Sequence, residues 1–255
     1  MNNKEKIIDM TIGELASLSQ VSDATVSRFC KKCGMKSFHH LKITLAKEIV
    51  ESDSSQIKVS NNIDIKNIGQ SLKNILANKI EEISETILHM GEKNISNILD
   101  VIKSSNTIQF AAVGNTIPVA LDGSYKFNQI GIPAIANTIW ETQLAYTFNL
   151  TENDTVIIIS NSGSSKRLIS IIEAAKSKNS HVISITNSEK SPIAMMSDYH
   201  ITTATREKLF LDEYYFSRIS AAIVIEVIYL LLATDKKDVY KNLSRHEQAI
   251  ADDKI

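Results

Sequence analysis

The chain has 255 residues, 43% of them apolar, and a formal net charge of -1 at pH 7. This composition predicts a globular protein of one or two domains with a sizeable core and excludes a disordered chain. Residues 1–50 carry a net charge of +3 and the remainder -4. A modestly basic head on an acidic body fits a nucleic-acid-binding module joined to a second domain.

The chain lacks the sequence features of a membrane-spanning or secreted protein. Its longest apolar stretch, residues 219–232, is too short to span a bilayer and contains Glu226. The first six residues have no apolar signal-peptide core. We therefore expect a cytoplasmic protein with no membrane partner.

The two cysteines, Cys30 and Cys33, have the spacing of half a zinc site or of a redox pair. No second Cys or His pair completes a zinc site at the usual distance. We favour a packing role for these cysteines and expect neither a metal nor a cofactor.

In chain order, residues 1–50 predict a small helical domain, residues 51–65 a polar linker, and residues 66–103 one or two connector helices. The connector has an apolar stripe of 3.6-residue periodicity, which predicts that this face packs on the domain after it. The stripe comprises Ile68, Leu72, Ile75, Leu76, Ile80, Ile83 and Ile87, and Lys79 interrupts it.

From residue 105 onward, short apolar runs alternate with amphipathic helices. Strands are predicted at residues 107–113, 156–160, 181–186 and 199–203, and helices at 118–130, 166–177 and 215–232. This alternation predicts an α/β domain with a parallel sheet and helical crossovers at residues 104–235, followed by a tail at 236–255.

Residues 11–32 have the pattern of two short helices, capped by Thr11 and Ser22. The segment between them, residues 19–21, has the length of a helix-turn-helix turn. Gln20 stands where many such turns have a glycine with positive φ, so we expect it to adopt that conformation at a cost of about 1 kcal/mol or to reshape the turn. The apolar positions of the first helix are Ile12, Leu15, Ala16 and Leu18, and those predicted to face inward from the second helix are Ala24, Val26 and Phe29.

The second helix of a helix-turn-helix enters the major groove with its N-terminal residues. The predicted DNA-binding residues are Ser22, Asp23, Thr25, Ser27, Arg28, Lys31, Lys32 and Lys36, with His39, His40 and Lys42 as a basic continuation. Hydroxyls and Arg28 suit base edges or phosphates, and the lysines suit phosphates. The alternative is a solvated charged helix face, which the apolar pattern between Ala16 and Phe29 disfavours.

Residues 11–16, 21–34 and 38–42 resemble the N-terminal domain of the RpiR family of bacterial regulators. The resemblance implies double-stranded operator DNA as a partner. Family members generally begin with further helices, whereas this chain starts ten residues before Thr11. We therefore expect a helix-turn-helix domain shortened at its N-terminus.

Two loops follow predicted strands and open predicted helices, the position at which parallel α/β sheets bind ligands. Such loops present unpaired N–H groups and the positive end of a helix dipole, and hydroxyls add donors. The predicted ligand-binding residues are Gly114, Asn115 and Thr116 in the first loop and Ser160, Ser162, Gly163, Ser164 and Ser165 in the second. A Ser-rich turn alone is usually a capped loop, but two together predict a phosphate site.

These loops resemble the sugar isomerase (SIS) domain, which binds phosphosugars through a Ser-x-Ser-Gly-x-Ser/Thr loop, and the similarity spans about residues 90–235. It implies a doubly wound, flavodoxin-like sheet and a sugar phosphate as effector. Glu207 matches a position that lies near the sugar in related domains, and we expect it to recognise a hydroxyl. Arg167 stands where an acidic residue is common in relatives. It either favours an anionic substituent on the ligand or is simply a solvated side chain on the surface of a helix.

The competing functions are a sugar-phosphate isomerase and a domain that only dimerises. An isomerase needs an acid and a base, for which Glu207, His181, His200 and residues 140–141 are candidates, but no catalytic pair stands at a recognisable spacing. We favour a non-enzymatic regulator of sugar-metabolism genes and assign no catalytic residue. A homodimer or homotetramer would present paired helix-turn-helix units to a palindromic operator, and a phosphorylated sugar or amino sugar would change their spacing.

Overall fold

The computed structural model describes residues 7, 10–42, 44–45, 63–204, 217–235 and 239–251. These fall into two compact units. The first comprises the described residues within Met1–Ser60 together with Asp64–Ala77, and the second those within Asn61–Ile63 and Asn78–Ile255.

The first unit contains two short capped helices, α1 (Ile12–Leu18) and α2 (Asp23–Lys32), and further helical residues at 38–42 and 44–45. Thr11 and Glu14 form a reciprocal capping box on α1, and the Ser22 hydroxyl accepts from the Thr25 amide at the start of α2. Hydrogen bonds from the Thr11 amide and hydroxyl hold the pKa of Glu14 below its ordinary value. Both predicted caps are confirmed.

The core of this unit is small and differs in part from the predicted one. Ala16, Val26 and Cys30 are buried, and Ile12, Leu15, Met35, Phe38 and Leu41 pack around them. Phe29 is instead 59% exposed, and Ala24 and Leu18 are exposed as well. Val26 and Cys30 are four positions apart and lie on one face of α2, whereas Phe29 lies about 100° around the helix axis from Cys30, at the edge of that face. The inward assignment of Ala24 and Phe29 was wrong, and Cys30 takes the packing role.

Gln20 adopts the left-handed conformation that the turn was expected to need, with φ of 54°. We expect Gln20→Gly to stabilise α1 and α2 by about 0.5–1 kcal/mol, because glycine has no Cβ to clash in this region. Amide hydrogen exchange of these helices in the full chain measures the free energy of opening. Ser19 has φ of -89°, so the matched Ser19→Gly variant should lower that free energy. Equal effects of the two variants would contradict the prediction.

In the second unit, a five-stranded parallel sheet has the order β2-β1-β3-β4-β5, which is the flavodoxin-like order. The strands are β1 (Ile108–Ala112), β2 (Ala134–Ala136), β3 (Thr155–Ile159), β4 (His181–Thr186) and β5 (Tyr199–Thr202). The helices of this part of the chain are α3 (Ile68–Leu88), α4 (Glu92–Ser104), α5 (Ile117–Gln129), α6 (Trp140–Thr147), α7 (Lys166–Ser177), α8 (Pro192–Met196), α9 (Ile219–Asp235) and α10 (Val239–Ala251). Helix α3 contributes residues to both units.

The sheet has an apolar core on each of its two faces. Side chains of α4, α5 and α9 pack with Ile108, Phe110 and Ile157 on one face. Side chains of α6, α7 and α8 pack with Ala111 and Ile158 on the other. Because the three central strands are buried on both faces, their sequences are mostly apolar, with Gln109 in β1 and Ser184 in β4 as buried polar exceptions. The predicted doubly wound α/β fold is confirmed.

Helix α3 buries the face opposite to the predicted one. Asn78, Glu82 and Thr86 are almost fully buried. The exposed large apolar side chains of this helix are Ile68, Leu72, Leu76, Ile80, Ile87 and Leu88. The expectation that the apolar stripe covers the following domain was therefore wrong, because internal hydrogen bonds allow the polar face to be buried instead.

Hydrogen bonds of the buried face lie within the second unit. The Glu82 carboxylate accepts from Lys79 Nζ and from the Ser220 hydroxyl, each at 2.6 Å. The Thr86 hydroxyl accepts from the Ala204 amide. A buried charge without such partners would be costly, and this pairing makes the inverted face tolerable.

None of the helices in the described ranges is both long enough and apolar enough to cross a bilayer.

Candidate functional site

The two predicted ligand loops lie at the carboxyl ends of adjacent strands. The Gly114 loop (Gly114–Thr116) follows β1, and the serine loop (residues 160–165) follows β3. The chain leaves β1 toward β2 on one side of the sheet and leaves β3 toward β4 on the other. A crevice opens at such a switch point, and open α/β sheets bind their ligands there. The structure therefore brings the two loops together at the expected position.

The serine loop makes a tight turn that requires a glycine. Gly163 is buried with φ of 61°, and its amide donates to the Ser160 hydroxyl at 3.2 Å. A Cβ atom on Gly163 would overlap Ser191 and would lie 3.3 Å from Thr186 Cβ. Only glycine fits this position, both for its φ and for the close approach of the neighbouring loop.

The serine loop leads into the uncapped start of α7. Ser165 is the N-cap residue but makes no side-chain cap hydrogen bond. Within the described ranges, the amides of Ser162 and of residues 164–167 have no protein acceptor. Several amides at the positive end of a 12-residue helix form a geometry suited to an anion.

The serine hydroxyls divide into two groups. Ser160 is buried and its hydroxyl shapes the turn by accepting from Gly163. Ser162 and Ser164 are exposed, and the Ser164 hydroxyl donates to the Ser162 hydroxyl at 3.1 Å. Ser162, Ser164 and Ser165 are therefore the members able to reach a ligand, while Ser160 holds the loop.

The loop and helix that follow β4 form hydrogen bonds with the backbone of the serine loop. The Asn187 amide donates to the Asn161 carbonyl, and the Ile193 amide donates to the Gly163 carbonyl. Ser191 Oγ lies 3.2 Å from Thr186 Oγ1, which in turn lies 2.9 Å from His200 Nε2. Burial lowers the pKa of His200, and Glu189 partly opposes this effect. This support was not predicted, because Thr186 and Ser191 have the sequence pattern of ordinary turn and cap residues.

The Gly114 loop offers fewer free donors than the serine loop. Gly114 has φ of 60°, and Pro118 near the start of α5 has no amide hydrogen. The Thr116 hydroxyl lies 3.1 Å from the Val113 carbonyl and 3.0 Å from the Ile159 carbonyl, so its hydrogen is used within the protein. Thr116 thus ties this loop to the end of β3, and its predicted contact with a ligand stays a prediction, as does that of Asn115.

Gln143, which sequence reasoning did not single out, fixes the end of β1. Its side chain accepts from the Ala112 amide at 3.1 Å and donates to the Ala112 carbonyl at 2.9 Å. This pairing replaces a strand partner just before the Gly114 loop. It was missed because α6 was not predicted.

Arg167 lies in the first turn of α7 against Trp140 of α6. Its guanidinium carbon is 5.7 Å from the centre of the indole ring, and the indole Nε1 donates to the Arg167 carbonyl at 2.9 Å. Neither Lys166 nor Arg167 forms an ion pair with any residue that the structure describes. The partial positive charge at the N-terminus of α7 repels these two cations, and a bound anion would offset that repulsion.

Of the residues considered for isomerase chemistry, the two described histidines, His181 and His200, do not form a pair. His181 starts β4 and is exposed at the amino edge of the sheet, opposite the loops. His200 bonds to Thr186 and lies behind the serine loop. Glu207 lies outside the described residues. The described part of the chain also contains no group of three or more His, Cys, Asp or Glu that could hold a metal ion.

The predicted DNA-binding residues lie on α2 and just after it. Ser22 and Thr25 bond to each other at 3.0 Å, and the Arg28 guanidinium donates to the Ala24 carbonyl at 3.3 Å. Ser22, Asp23, Thr25, Arg28, Lys31, Lys32 and Lys36 are exposed, and Ser27 is half-buried. Nearly all of the predicted set is therefore accessible.

Three of these residues, Ser27, Lys31 and Lys36, line a groove of about 530 Å³ in the first unit. Its other lining residues are Met10, Thr11, Ile12, Ser37, Phe38, His39 and Lys42. Three lysines and the adjacent Ser27 and Ser37 hydroxyls form a surface suited to phosphate oxygens. The groove joins α2 to the basic continuation at His39 and Lys42.

Family models match both parts of the chain. A SIS domain model matches residues 101–230, and a model of the helix-turn-helix domain of the rpiR family matches residues 1–52. An uncharacterised HTH-type transcriptional regulator of Caldanaerobacter subterraneus is 29% identical over 260 residues, which cover 100% of this chain and 90% of the relative.

Solved structures share the fold. The Vibrio vulnificus NanR protein, complexed with ManNAc-6P, superposes with a TM-score of 0.65 at 22% identity, covering 98% of this chain and 88% of NanR. The phosphoheptose isomerase GmhA of Neisseria gonorrhoeae has a TM-score of 0.53 at 16% identity, covering 65% of this chain and 99% of GmhA. Regulators and enzymes therefore share this architecture, so the site must decide between them.

Proposed function

Because this chain belongs to the RpiR family of helix-turn-helix regulators and carries a SIS domain, we propose that it is a DNA-binding transcriptional regulator of sugar metabolism. A phosphorylated sugar or amino sugar modulates its binding to operator DNA in the cytoplasm. One observation carries the proposal: a helix-turn-helix unit and an anion-binding loop with unpaired amides occur in the same chain.

The serine loop binds the phosphate group of the effector in this proposal. The free amides of residues 164–167 and the hydroxyls of Ser162, Ser164 and Ser165 are the donors, and Gly163 lets the backbone approach closely. Arg167 and Lys166 add positive charge beside them. NanR, a relative in fold, binds an amino sugar phosphate, which supports that ligand class here. We keep Glu207 as a candidate for sugar hydroxyl recognition.

Helix α2 reads the operator in the major groove in this proposal, and the basic groove holds a backbone phosphate. Arg28 is exposed and its guanidinium is held near the helix by the Ala24 carbonyl. Lys31, Lys32 and Lys36 supply sequence-independent contacts. This division of roles is supported by the exposure of the residues and by the groove they line.

We expect Arg28→Ala to weaken binding to a selected operator roughly tenfold and to reduce the salt dependence by about one phosphate contact. The operator is a site selected by the full chain from a randomised DNA pool, and the measurement is a binding titration at several salt concentrations. The matched control is Arg245→Ala, because Arg245 is exposed on α10 in the other unit. An unchanged affinity and salt slope in Arg28→Ala would remove this residue from the interface.

The chain acts as a homodimer or homotetramer in this proposal. Helix α3 exposes Leu72, Leu76, Ile80 and Ile87, and a row of exposed large apolar residues of this size favours association. A symmetric pair of helix-turn-helix units fits a palindromic operator. Because α3 contributes residues to both units, it is also a candidate route by which ligand binding affects the helix-turn-helix.

A thermal-shift screen with a matched activity assay tests the proposal against the isomerase alternative. The panel consists of glucose 6-phosphate, glucosamine 6-phosphate and N-acetylmannosamine 6-phosphate, each beside its unphosphorylated sugar. We expect a phosphorylated member to raise the melting temperature, its unphosphorylated partner to have no effect, and no member to be converted. Conversion of a panel member would favour the enzyme, and no shift with any member would contradict the ligand site.

A further inference from the structure

We propose that Thr186 and His200 are positioning residues of the serine loop, and that protonation of His200 strengthens the loop's hold on a phosphate group. This inference rests on the proposed function, because it assigns a regulation to the same ligand site.

A continuous chain of polar contacts links His200 to the loop. His200 Nε2 lies 2.9 Å from Thr186 Oγ1, and Thr186 Oγ1 lies 3.2 Å from Ser191 Oγ. Ser191 lies directly beneath Gly163, where it occupies the space that a Cβ would need. Thr186 also lies on the turn itself, since its hydroxyl lies 2.9 Å from the Ser188 carbonyl and 3.2 Å from the Ser188 amide.

The single hydroxyl hydrogen of Thr186 makes this chain directional. A neutral ring with an unprotonated Nε2 accepts that hydrogen, whereas an imidazolium Nε2 can only donate. The Thr186 hydroxyl also lies 2.9 Å from the Ser188 carbonyl, which can only accept. If the neutral ring carries its hydrogen on Nδ1, protonation of Nε2 turns the Thr186 hydrogen to the Ser188 carbonyl or to Ser191 Oγ, on the side that faces the serine loop. If the neutral ring already carries its hydrogen on Nε2, these hydrogen bonds stay as they are and protonation adds the positive charge alone.

The positive charge of the protonated His200 ring also strengthens anion binding. An imidazolium two hydrogen bonds from Ser191 attracts an anion bound above Gly163. The charged group that acts on the His200 ring is Glu189. Within the described ranges, the groups that α4 and β4 place beside His200 are neutral: the Asn94 side chain on α4 donates to the His200 carbonyl, and Ser184 on β4 is the residue paired with His200 in the sheet. Burial keeps the pKa of His200 below its ordinary value, so the ring is neutral near pH 7. By linkage, a bound anion raises that pKa and acidification strengthens anion binding.

The test is an NMR titration of the His200 ring in the full chain, with and without sulfate and with and without glucosamine 6-phosphate. Sulfate is included because its charge does not change between pH 7.5 and 5.5, unlike that of a phosphate monoester. We expect each bound anion to raise the pKa of His200, and sulfate to bind about threefold to tenfold more tightly at pH 5.5 than at pH 7.5.

Variants separate positioning from simple structural support. His200→Gln should still bind sulfate at pH 7.5 but lose most of the response to pH. Thr186→Val should lose the response and bind more weakly, and Thr186→Ser should restore both. The control is His181→Gln, at the exposed opposite edge of the sheet, which should keep the wild-type response.

The outcomes distinguish this inference from the proposed function. If glucosamine 6-phosphate or sulfate binds but the pH response is the same in His200→Gln as in the wild type, the inference is overturned and the ligand site stands. If neither sulfate nor any sugar phosphate of the panel binds at any pH, both fail.

Discussion

Gly163→Ala is expected to abolish the binding of sugar phosphates while leaving operator binding intact. The new methyl group would overlap Ser191, and the residue would keep a φ of 61° that alanine disfavours. The loop must shift, which displaces the free amides of residues 164–167 from their common target. We expect a loss of at least roughly a hundredfold in ligand affinity and about 2–4 kcal/mol in stability, from strain and overpacking together. Isothermal titration with the best member of the sugar-phosphate panel measures the affinity.

Gly114→Ala is the matched control for this substitution. Gly114 has nearly the same φ, 60°, but nothing lies within 4 Å of the position that a Cβ would take. The control therefore carries the cost of the backbone conformation alone, about 1–2 kcal/mol. If Gly163→Ala binds the sugar phosphate as tightly as the wild type does, the close packing of Ser191 under the serine loop has no role in binding.

Val26→Asp is expected to unfold the helix-turn-helix and to remove operator binding altogether. Val26 is 5% exposed, and the buried apolar core among the described residues of this unit consists of three small side chains, Ala16, Val26 and Cys30. An unpaired carboxylate there costs about 3–5 kcal/mol, more than so small a core is able to offset. Loss of dispersed amide signals from α1 and α2 in a correlation spectrum reports the unfolding.

The control for Val26→Asp carries the same side chain on the exposed position Phe29, in the variant Phe29→Asp. Phe29 is 59% exposed, so this variant should keep the helical signals even if the added charge weakens binding to DNA. Ligand-induced stabilisation of the second unit should persist in both variants. If Val26→Asp retains the helical signals, the assignment of this core is incorrect.

The sequence predicted the helix-turn-helix in outline but not its packing. Caps at Thr11 and Ser22 and the left-handed Gln20 follow from local chemistry, which acts within a few residues, and they were predictable. The inward face of α2 was not, because a helix of ten residues with scattered apolar positions allows more than one rotation. The choice of Cys30 over Phe29 depends on the partners that pack against α2.

The sheet was predicted well where strands are buried on both faces. The bounds of β4 and α7 agree with the predicted ones, and β1, β3 and β5 differ by a residue or two at their ends. Strand β2 and helix α6 were missed. β2 is only three residues long, lies at the edge of the sheet and directly follows Pro133, so its sequence has neither the length nor the flanking pattern of a central strand.

Helix α3 shows most clearly where reasoning from periodicity fails. Its apolar stripe indicates a helix, and the helix exists, but periodicity does not tell which partner covers the apolar face. The Glu82 carboxylate is buried because Lys79 and Ser220 satisfy it, and Ser220 is far away in sequence. A hydrogen-bonded partner of this kind has no local signature.

For the ligand site, the loops were predicted and their support was not. Glycine and serine residues after strands are visible in a sequence, and the structure places the Gly114 loop and the serine loop on adjacent strands. The contacts of Thr186, Ser191 and Gln143 arise only when the sheet has formed. Ser160 holds the loop and Ser162 is exposed. This difference between the two serines likewise arises only in the folded chain.

The central claim is that one chain couples phosphosugar binding to operator binding, and a fluorescence anisotropy titration tests it most directly. The full chain is titrated onto its selected operator with and without a saturating amount of the sugar phosphate that gives the largest thermal shift. We predict that the ligand changes operator affinity about fivefold or more in the wild type, in either direction, and leaves it unchanged in Gly163→Ala. An operator affinity that is identical with and without bound ligand in the wild type would contradict the account.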